Sequence, residues 1–530
     1  MTRSKQNKKT TATFKSAKSK PIAAHADLQL EAWLNPCYQN FFQLGYFFYK
    51  SGYVEQAIES YQKAMTYEST SSDAQFNLAV TFESVGRFEE AYQAYLDVIK
   101  LNAGNMEAAF GNMMALHDIR YPLDLPREME SLKFYSQSVE HDSFCQNVYT
   151  NIKQHSPLRI GFVSGDLRYH PVGYFLESTL EKIKHNPDLC DRLEFVAYYN
   201  SQIQDELTYR ISEHFDAWYR VNEWDDERLA AQIKRDHIDI LVDLSGHTRG
   251  HRLPVFARKP APLQVSWLGY WRSTGLSTID YVLADAISVP AKEEKWFSEK
   301  IWHLPHLRYC FSIPEDAPEV SSSPCLQNQD ITYGCYQMLH KINESVLKCW
   351  VRILSASPYT RLRIQSKDLN NADIKKQFIM SLKSVGLDIN RIDLVGPMSR
   401  QLYLASYAEV DILLDTFPYP GGTTTAEALW MGLPTITLTT PCMIGRQGEA
   451  MMINAGLSDW IAYSEDEYVL KAVNWAHANL EQRKELAMLR QNMRKKVKQS
   501  PVFNAEQFAK EFVDAMYGMW DEKCIETAQN

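Results

Sequence analysis

The sequence predicts an all-α helical-repeat domain followed by two α/β domains, each built on a parallel sheet. A 34-residue periodicity in the first part of the chain predicts the repeats. From about residue 157 onward, short β-rich apolar runs alternate with helical stretches, which is typical of parallel sheets. The length of 530 residues is too great for one hydrophobic core, so two to four domains are expected.

Composition and charge narrow the class of protein. Hydrophobic residues make up 45% of the chain and charged residues 23%, which is ordinary for a globular protein. The net charge of −9 argues against a general nucleic-acid binder. No apolar run reaches 18 residues, so we expect no membrane span. The nine scattered cysteines have no CxxC spacing, which favours reduced thiols in the cytoplasm over disulfides or a zinc site.

The amino terminus is strongly basic. Residues 1–20 carry seven Lys or Arg and no acidic residue, and no apolar segment follows them. This excludes a secretory signal, and we predict a disordered basic tail over residues 1–26. A transit peptide and an electrostatic arm are the alternatives.

The first folded region repeats itself. The segment "FFQLGYFFYKSGYVEQAIESYQKAM" (41–65) matches "AQFNLAVTFESVGRFEEAYQAYLDVI" (74–99) at a spacing of 34 residues. Four residue pairs share that spacing: Leu44 and Leu78, Gly52 and Gly86, Ala57 and Ala91, and Tyr61 and Tyr95. This is the tetratricopeptide signature, in which helix pairs stack because none can bury its apolar face alone. Residues 106–119 fit the first helix of a third unit, and we predict a repeat domain over residues 27–150.

Two sets of β-rich runs follow the repeats. The first set predicts an α/β domain over residues 157–312, and its runs are 158–165, 193–200, 238–246, 263–270 and 281–285. A polar linker is predicted at 313–330. The second set predicts another α/β domain over 331–502, and its runs are 331–336, 361–366, 391–397, 411–417 and 435–440. Residues 503–530 are predicted to form one amphipathic helix that packs back on both domains.

A site for a negatively charged ligand is predicted where the strand near Asp415 ends, in "DTFPYPGGTTTAEALWMGLP" (415–434). Gly421 and Gly422 let the backbone approach a ligand closely. Thr423 and Thr424 then open a helix, and the amide groups and dipole at its start suit phosphate oxygens. The alternative is a plain helix cap with glycines that serve only the loop geometry.

Other strand ends carry chemically useful side chains. Lys341 lies on the loop after the run 331–336, where it would act as a point charge for a diphosphate unless it is a solvated surface lysine. His170 follows the first strand and is a candidate proton acceptor, and His247 has the same layout after Asp243. Both histidines have a structural alternative. No DxD motif is present to hold a cation, so Lys341 and the helix start would neutralise a leaving group themselves.

Seven motifs in order resemble the protein O-linked N-acetylglucosamine transferases and their SPINDLY-type relatives, glycosyltransferase family 41. They are "HPVGYF", "IDILVDLSGHT", "RKPAPLQVSWLGY", "IDYVLAD", "HKINESVLKCW", "DILLDTFPYPGGTTTAEALWMGLP" and "SPVFN". The resemblance covers nearly the whole chain. It implies a GT-B fold of two Rossmann-like domains and transfer of one sugar, with inversion and without metal or other cofactor. The donor would be a nucleotide sugar, foremost UDP-N-acetylglucosamine, and the acceptor a Ser or Thr of a protein held by the repeats.

The resemblance also assigns roles to individual residues. Lys341 matches the lysine on the diphosphate, Thr423 and Thr424 match the phosphate-binding helix start, and Glu427 takes the place of an acidic residue on the ribose. Arg400, in "GPMSR", lies where the family holds the nucleobase. The remaining nucleotide-sugar residues would be Gln337, Met338, Met398, Gly421 and Gly422. The acceptor and sugar pocket would contain His170, Pro171, Leu268 and Gly269, and the catalytic set would be His170, Lys341 and His247.

The chain departs from the family pattern at several positions. Gly422 stands where the animal enzymes have a histidine, and Met338 stands where they have a glutamine, with Gln337 one step earlier. The loop "WRSTG" (271–275) replaces "PGTSG", the insertion between the catalytic halves is absent, and the repeat array is short.

Several functional questions therefore stay open. "DTFPY" and "GHT" look more like SPINDLY and bacterial members, and SPINDLY proteins transfer fucose from GDP-fucose. UDP-N-acetylglucosamine, UDP-glucose and GDP-fucose all remain candidate donors. A catalytically degenerate repeat scaffold, an acceptor other than a Ser or Thr hydroxyl, and a homodimer also stay open.

Overall fold

The computed structural model describes residues 21–101, 104–141, 149–150, 152–328 and 330–529. Residues 1–20, which hold most of the predicted basic tail, lie outside the described residues. The chain divides between residues 113 and 114 into two compact units. The first unit is helical, and the second contains both parallel sheets.

The first unit consists of antiparallel helix pairs. Its helices are α1 (Pro21–Leu34), α2 (Tyr38–Lys50), α3 (Val54–Tyr67), α4 (Ser72–Ser84), α5 (Phe88–Lys100) and the beginning of α6 (Met106–Ile119). Tyr61 and Tyr95 are fully buried, and a Cβ added to Gly45 would lie 2.8 Å from the Tyr61 ring. Gly52 and Gly86 have φ angles of +79° and +75°, which suit the turns between paired helices. The 34-residue spacing thus recurs as a packing pattern.

The boundary predicted for the tail is wrong by six residues, because α1 already begins at Pro21. Proline is favoured at the first position of a helix, and the alanines that follow have the highest helix propensity. Residues 21–26 therefore belong to α1.

The end of α6 and the whole of α7 (Leu125–His141) belong to the second unit, although the predicted repeat domain extended to residue 150. Arg272, on a loop of the first sheet, forms ion pairs with Asp118 of α6 and Glu128 of α7. A Cβ on Gly275 would lie 2.9 Å from the carbonyl oxygen of Leu132 in α7. These buried contacts fix the α6–α7 hairpin to the α/β part.

The first sheet has seven parallel strands in the order β3-β2-β1-β4-β5-β6-β7. They are β1 (Leu158–Ser164), β2 (Leu193–Tyr199), β3 (Ala217–Arg220), β4 (Ile240–Asp243), β5 (Leu263–Ser266), β6 (Tyr281–Asp285) and β7 (Lys300–Leu304). The accompanying helices are α8 (Pro171–His185), α9 (Glu206–Ser212), α10 (Asp226–Arg235) and α11 (Leu253–Ala257). Only the edge strands β3 and β7 were not predicted. Most of their side chains are partly or fully exposed, so they lack a continuous apolar run.

The second sheet has six parallel strands in the order β10-β9-β8-β11-β12-β13. They are β8 (Thr332–Cys335), β9 (Arg361–Gln365), β10 (Ile392–Val395), β11 (Ile412–Leu414), β12 (Thr435–Leu438) and β13 (Ile461–Ala462). The helices are α12 (Cys325–Asn328), α13 (Glu344–Ala356), α14 (Ala372–Ser384), α15 (Arg400–Ala405), α16 (Thr423–Trp430), α17 (Gln447–Asn454), α18 (Glu465–Ala476) and α19 (Leu480–Lys498). The two-residue strand β13 is too short for a sequence pattern to indicate.

Strand order determines where a ligand would bind. In each sheet the chain moves outward over three strands and then returns to the other side of the first, next to β1 or β8. Open α/β sheets bind ligands at such a switch point, outside the carboxyl ends of the strands. His170 follows β1, Lys341 follows β8, and the glycine pair follows β11, so these residues lie at the edges where ligands are expected.

The predicted linker at 313–330 is not wholly irregular, since it contains the short helix α12. The Asp411 carboxylate accepts hydrogen bonds from the Ser323 hydroxyl (2.6 Å) and the Cys325 amide (3.0 Å), which ties this segment to the second sheet. In the described part of the chain, no helix has both the length and the apolar character needed to cross a membrane.

Helix α20 (Ala505–Gln529) follows the second sheet but packs on the first. The Trp267 ring lies 6.2 Å from the Phe508 ring and 4.9 Å from the Phe512 ring. The Phe311 amide donates to the carbonyl of Val502, at the start of this return. The last helix therefore joins the two α/β halves of the second unit.

Candidate active site

Lys341 ends a short 3-10 helix, Leu339–Lys341, just beyond β8. Its Nζ donates hydrogen bonds to Gln337 Oε1 (3.3 Å) and to the Pro420 carbonyl (3.2 Å). The same Nζ lies 3.6 Å from the centre of the Tyr419 ring. Lys341 is therefore not a solvated surface lysine, since its ammonium is held against the loop that follows β11.

Gln337 links this lysine to the glycine–threonine helix. Its Oε1 accepts from Lys341, while its Nε2 donates to Thr424 Oγ1 at 2.9 Å. Gln337 is only 7% exposed, so the amide is held within a set of fixed partners. The lysine and the start of α16 are thus parts of one hydrogen-bonded cluster.

Asp415 lies beneath the cluster and is 2% exposed. Its Oδ1 accepts from the Gly421 amide (2.7 Å) and the Thr416 amide (3.0 Å), and its Oδ2 accepts from the Thr437 hydroxyl (3.1 Å). Burial raises the pKa of Asp415 and lowers the pKa of Lys341, while attraction between the two charges opposes both shifts. The lysine is a poorly hydrated cation, which an anionic ligand would stabilise.

The start of α16 is tight at Gly421, whereas a side chain at Gly422 would meet the end of the Gln447 side chain. A Cβ on Gly421 would lie 2.4 Å from both Gln337 Nε2 and Thr424 Oγ1, and one on Gly422 would lie 2.8 Å from Gln447 Nε2. Gly422 occupies the N-cap position, and no side chain caps the helix. Thr423 Oγ1 is buried without a hydrogen-bond partner among the described residues. An uncapped helix start with an unsatisfied hydroxyl favours an anion site over a plain cap.

A cavity of about 210 Å³ opens beside this cluster, at the carboxyl ends of β8, β9 and β10. The predicted residues Met338 and Met398 line it and are 37% and 40% exposed, so they offer apolar surface for a flat base. Gln337 belongs to both the cavity and the lysine cluster. The full lining is Tyr336, Gln337, Met338, Gln365, Ser366, Lys367, Gly396, Pro397, Met398 and Tyr403.

The contribution of β9 to this cavity was not predicted from the sequence. Gln365, Ser366 and Lys367 come directly after or at the end of that strand. The strand itself was predicted, so the rule that ligands bind at carboxyl ends could have found them.

Arg400 and Glu427 form a close ion pair. The Glu427 side chain is 1% exposed and that of Arg400 34%, so the carboxylate lies below the guanidinium. Burial raises the pKa of Glu427, while Arg400, Tyr403 and Tyr407 counteract the shift. Glu427 is thus paired with Arg400, and its contact with the ribose stays a prediction. Glu427 is placed to orient Arg400. The guanidinium of Arg400 lies 5.3 Å from the Tyr174 ring of the first half.

His170 caps helix α8 on the opposite side of the cleft. Its Nδ1 accepts from the Val172 amide (3.4 Å) and lies 3.7 Å from Asp166 Oδ2. Burial lowers the pKa of His170, which favours the neutral ring, although Asp166 opposes the shift. Because Nδ1 accepts from the amide, the proton of the neutral ring is on Nε2, which can then donate to a ligand. Pro171 follows as an exposed first helical residue.

The prediction of a catalytic His247 is wrong on accessibility. His247 is 3% exposed, its Nε2 is 2.7 Å from the Thr274 carbonyl, and its ring packs edge-on against Tyr135 at 4.7 Å. Burial lowers the pKa of His247 to about 3, so it is neutral at physiological pH. It stabilises the junction between the loops after β4 and β5.

The loop after β5 contains the predicted pocket residues Leu268 and Gly269. Leu268 has a φ angle of +68° and is 7% exposed, so its side chain belongs to the core. A Cβ on Gly269 would lie 1.7 Å from the Leu244 carbonyl oxygen, so only glycine fits there. This loop could offer its backbone, rather than the Leu268 side chain, to a ligand.

The structure thus joins most of the predicted donor-site residues into a connected cluster with the cavity beside it. His170 belongs to the first half and lies within electrostatic range of Lys367 in the cavity lining. Contacts also bridge the halves, such as the ion pair between Glu293 and Arg446 (2.6 Å). Among the described residues, no group of three or more His, Cys, Asp or Glu is arranged to hold a metal ion.

Two Rossmann-like domains, each built on a parallel sheet, have the GT-B fold of glycosyltransferases. The sequence model of glycosyl transferase family 41 matches residues 125–315 and 320–512, and tetratricopeptide-repeat models match 38–70 and 72–105. The chain belongs to glycosyl transferase family 41.

Named relatives agree with this assignment. The chain is 34% identical over 373 residues to a probable UDP-N-acetylglucosamine–peptide N-acetylglucosaminyltransferase SPINDLY of Arabidopsis thaliana, covering 69% of this chain and 40% of the relative. It is 26% identical over 432 residues to the Arabidopsis enzyme SEC, covering 78% of this chain and 43% of that one. A solved O-GlcNAc transferase mutant of Thermobaculum terrenum superposes with a TM-score of 0.80 at 28% identity, covering 96% of this chain and 95% of that one. The chain spans about 40% of the length of the curated relatives it matches.

Proposed function

We propose that this chain is an inverting, metal-independent protein O-glycosyltransferase that moves one sugar from a nucleotide sugar to a Ser or Thr of a protein. The observation that carries the proposal is the Lys341–Gln337–Thr424 cluster beside a cavity of nucleobase size. The names of the SPINDLY, SEC and Thermobaculum relatives support the same type of transfer.

The proposed reaction is a single displacement. The acceptor oxygen forms a bond to C1 of the sugar from the face opposite the leaving group, and the hydroxyl proton passes to water or to an oxygen of the departing diphosphate. The bond from C1 to the diphosphate oxygen breaks, and its electron pair leaves with the nucleoside diphosphate. Negative charge therefore grows on the diphosphate, where Lys341 and the start of α16 would stabilise it. These two positive elements are the support for proposing a reaction without a metal.

His170 would act on the acceptor side. In the form that caps α8, its Nε2–H is a donor, so it would orient the acceptor hydroxyl or a sugar oxygen. Direct proton removal would require the other tautomer. We therefore propose an orienting role for His170.

The donor we favour is UDP-N-acetylglucosamine, which stands in the names of the SPINDLY and SEC relatives. GDP-fucose and UDP-glucose are the alternatives, and the "DTFPY" and "GHT" motifs favour the first of these. The tetratricopeptide repeats would bind an extended segment of the acceptor protein, since stacked helix pairs form long surfaces.

A donor screen by thermal shift tests the proposal. UDP, GDP, UDP-N-acetylglucosamine, UDP-glucose and GDP-fucose are each added to the full chain and to Lys341→Ala. A ligand that binds the native state raises Tm by mass action, so the true donor and its diphosphate should stabilise the wild type. The shift should be largely lost in Lys341→Ala.

Lys348→Ala is the matched control, because Lys348 lies on the neighbouring helix α13 and its side chain is 65% exposed. It should retain the full shift. Stabilisation by GDP compounds alone would transfer the proposal to a fucosyltransferase. No shift with any compound would favour the repeat scaffold.

A further inference from the structure

The loop after β5, "WRSTG" (271–275), departs from the family pattern, and the proposed mechanism leaves it unused. Its first residue, Trp271, has its ring 5.1 Å from the ring of Tyr419. Tyr419 is the residue whose ring lies 3.6 Å from Lys341 Nζ. Two aromatic rings, one from each α/β half, thus lead to the lysine proposed to hold the diphosphate.

Trp271 is held from behind by buried charges. Its Nε1 donates to Asp118 Oδ1 (3.1 Å), and Arg272 Nε donates to the same oxygen (2.8 Å). Arg272 also pairs closely with Glu128. The three charged side chains are only 2–8% exposed, so removal of Arg272 would leave two buried carboxylates unpaired.

The α6–α7 hairpin that supplies these carboxylates also contacts the loop that carries Tyr419. Tyr121, between the two helices, packs edge-on against Phe417 at 5.4 Å. Phe417 lies in the same loop as Tyr419. The hairpin therefore contacts both the Trp271 loop and the Tyr419 loop. Each of the two rings belongs to a loop that the hairpin holds in place.

A lysine side chain has a flexible four-carbon stem, so an ammonium that must meet a diphosphate gains from a fixed support. An aromatic face attracts the cation without neutralising it, which leaves its charge available to an anion. A carboxylate in the same place would compete with the ligand.

We propose that Trp271 and Tyr419 form an aromatic platform that positions Lys341 for the diphosphate, and that Arg272, Asp118 and Glu128 hold this platform in place. These are positioning residues, since they act through Lys341. The inference rests on the proposed role of Lys341 at the leaving group.

A double-mutant cycle tests it with the full chain. UDP and GDP are titrated by calorimetry into wild type, Trp271→Leu, Lys341→Ala and the double variant, and the diphosphate that binds the wild type is followed. Trp271→Leu should weaken its binding about tenfold, because Tyr419 loses the ring that fixes its position next to the cation. In the Lys341→Ala background the same change should alter affinity by less than about twofold.

Several controls separate positioning from general damage. Trp271→Phe keeps a ring and should bind almost as the wild type does. Trp218→Leu removes another half-buried tryptophan of the same sheet and should leave affinity unchanged. Binding of the parent nucleoside should be insensitive to Trp271→Leu, because the lysine faces the phosphates. If Trp271→Leu does not fold, Tyr419→Leu takes its place in the cycle.

The outcomes distinguish the two proposals. Equal losses from Trp271→Leu with and without Lys341, or no loss at all, would overturn the platform while leaving the role of Lys341 intact. An unchanged affinity in Lys341→Ala, or a wild type that binds neither diphosphate, would overturn the proposed function and the platform with it.

Discussion

Lys341 is a cation whose surroundings disfavour its charge until an anion arrives. Burial lowers its pKa, and the titratable groups that influence it are Asp415, Asp118 and Cys335, with His340 next to it in the chain. The two carboxylates counteract the shift, while Gln337 and the Tyr419 ring hold the ammonium without neutralising it. Such a lysine is suited to a ligand that brings its own negative charge.

A pH dependence follows from the lowered pKa of Lys341. The proposed reaction needs the charged form, so kcat/KM should fall as pH rises through a pKa below that of free lysine, 10.5. Bound donor adds negative charge and raises that pKa, so the fall in kcat should occur at higher pH. Lys341→Arg, which stays charged, should be slower but lose the alkaline fall. An unchanged alkaline fall in Lys341→Arg would assign it to another group.

Removal of the ammonium should slow the chemical step. Lys341→Ala is expected to reduce the rate of sugar transfer on the order of 100–1000-fold, the usual effect of losing one preorganised charge donor. Single-turnover measurement at saturating donor isolates this step from binding. Lys348→Ala should retain the wild-type rate, and equal rates in all three proteins would refute the leaving-group assignment.

Glu427 should act on nucleotide binding through Arg400. Glu427→Ala removes the buried partner of the guanidinium and an acceptor for the nearby tyrosine hydroxyls, so the KM for the donor should rise about tenfold. Glu427→Gln keeps an acceptor oxygen and should show a smaller rise. The measurement is steady-state kinetics at varied donor, and a fall in kcat with constant KM would contradict this role.

At the scale of elements, the turn from β11 into α16 is tightest at Gly421. Gly421→Ala would place a Cβ 2.4 Å from Gln337 Nε2 and Thr424 Oγ1, and would break the bond between them. We expect activity to fall together with a loss of about 1–3 kcal/mol in the free energy of unfolding. Denaturant unfolding and donor binding check this.

Gly104→Ala is the control for that substitution, because a Cβ there meets no described atom within 4 Å and the φ angle is not positive. It should change neither stability nor binding. If Gly421→Ala behaves like Gly104→Ala, the helix start is more adaptable than its packing indicates.

The elements that the sequence predicted well are those with a continuous apolar run or a repeat. β1 and β8 are of this kind, whereas the helix start at Thr423 was predicted from its glycines and threonines. Together they fixed the position of the candidate site. The strands β3 and β7 were missed because edge strands keep exposed side chains. Where a strand or helix lies along the sequence depends mainly on local residue patterns, so these patterns predicted it correctly.

Side-chain partners were harder to predict because they come from distant parts of the chain. His247 and His170 have the same layout after a strand, yet one is buried against Tyr135 of α7 and the other caps an open helix start. Glu427 and Arg400 are 27 residues apart, and no local pattern indicated their pairing. Accessibility and pairing depend on tertiary packing.

At the scale of the second unit, the proposed function depends on two halves that share one cleft. Contacts cross it at Tyr174 and Arg400, at Trp271 and Tyr419, and at Glu293 and Arg446. Helix α20 adds a covalently continuous connection, since it follows the second sheet and packs on the first. The packing of α20 on the first sheet therefore helps to fix the relative position of the halves, although α20 is distant in sequence from the glycine–threonine turn.

Phe512→Ala should destabilise this arrangement. Phe512 is fully buried and its ring lies 4.9 Å from that of Trp267, so its truncation should lower the free energy of unfolding by about 3–5 kcal/mol. Phe88→Ala, at a residue that is 44% exposed, should cost much less. Urea unfolding gives the stabilities, and hydrogen exchange at β5 reports the first half separately. Trp267 directly follows β5 and precedes the Leu268–Gly269 loop, so β5 should lose protection from exchange before β8 does. Equal protection of both strands in the variant would show that α20 does not set the stability of the first half.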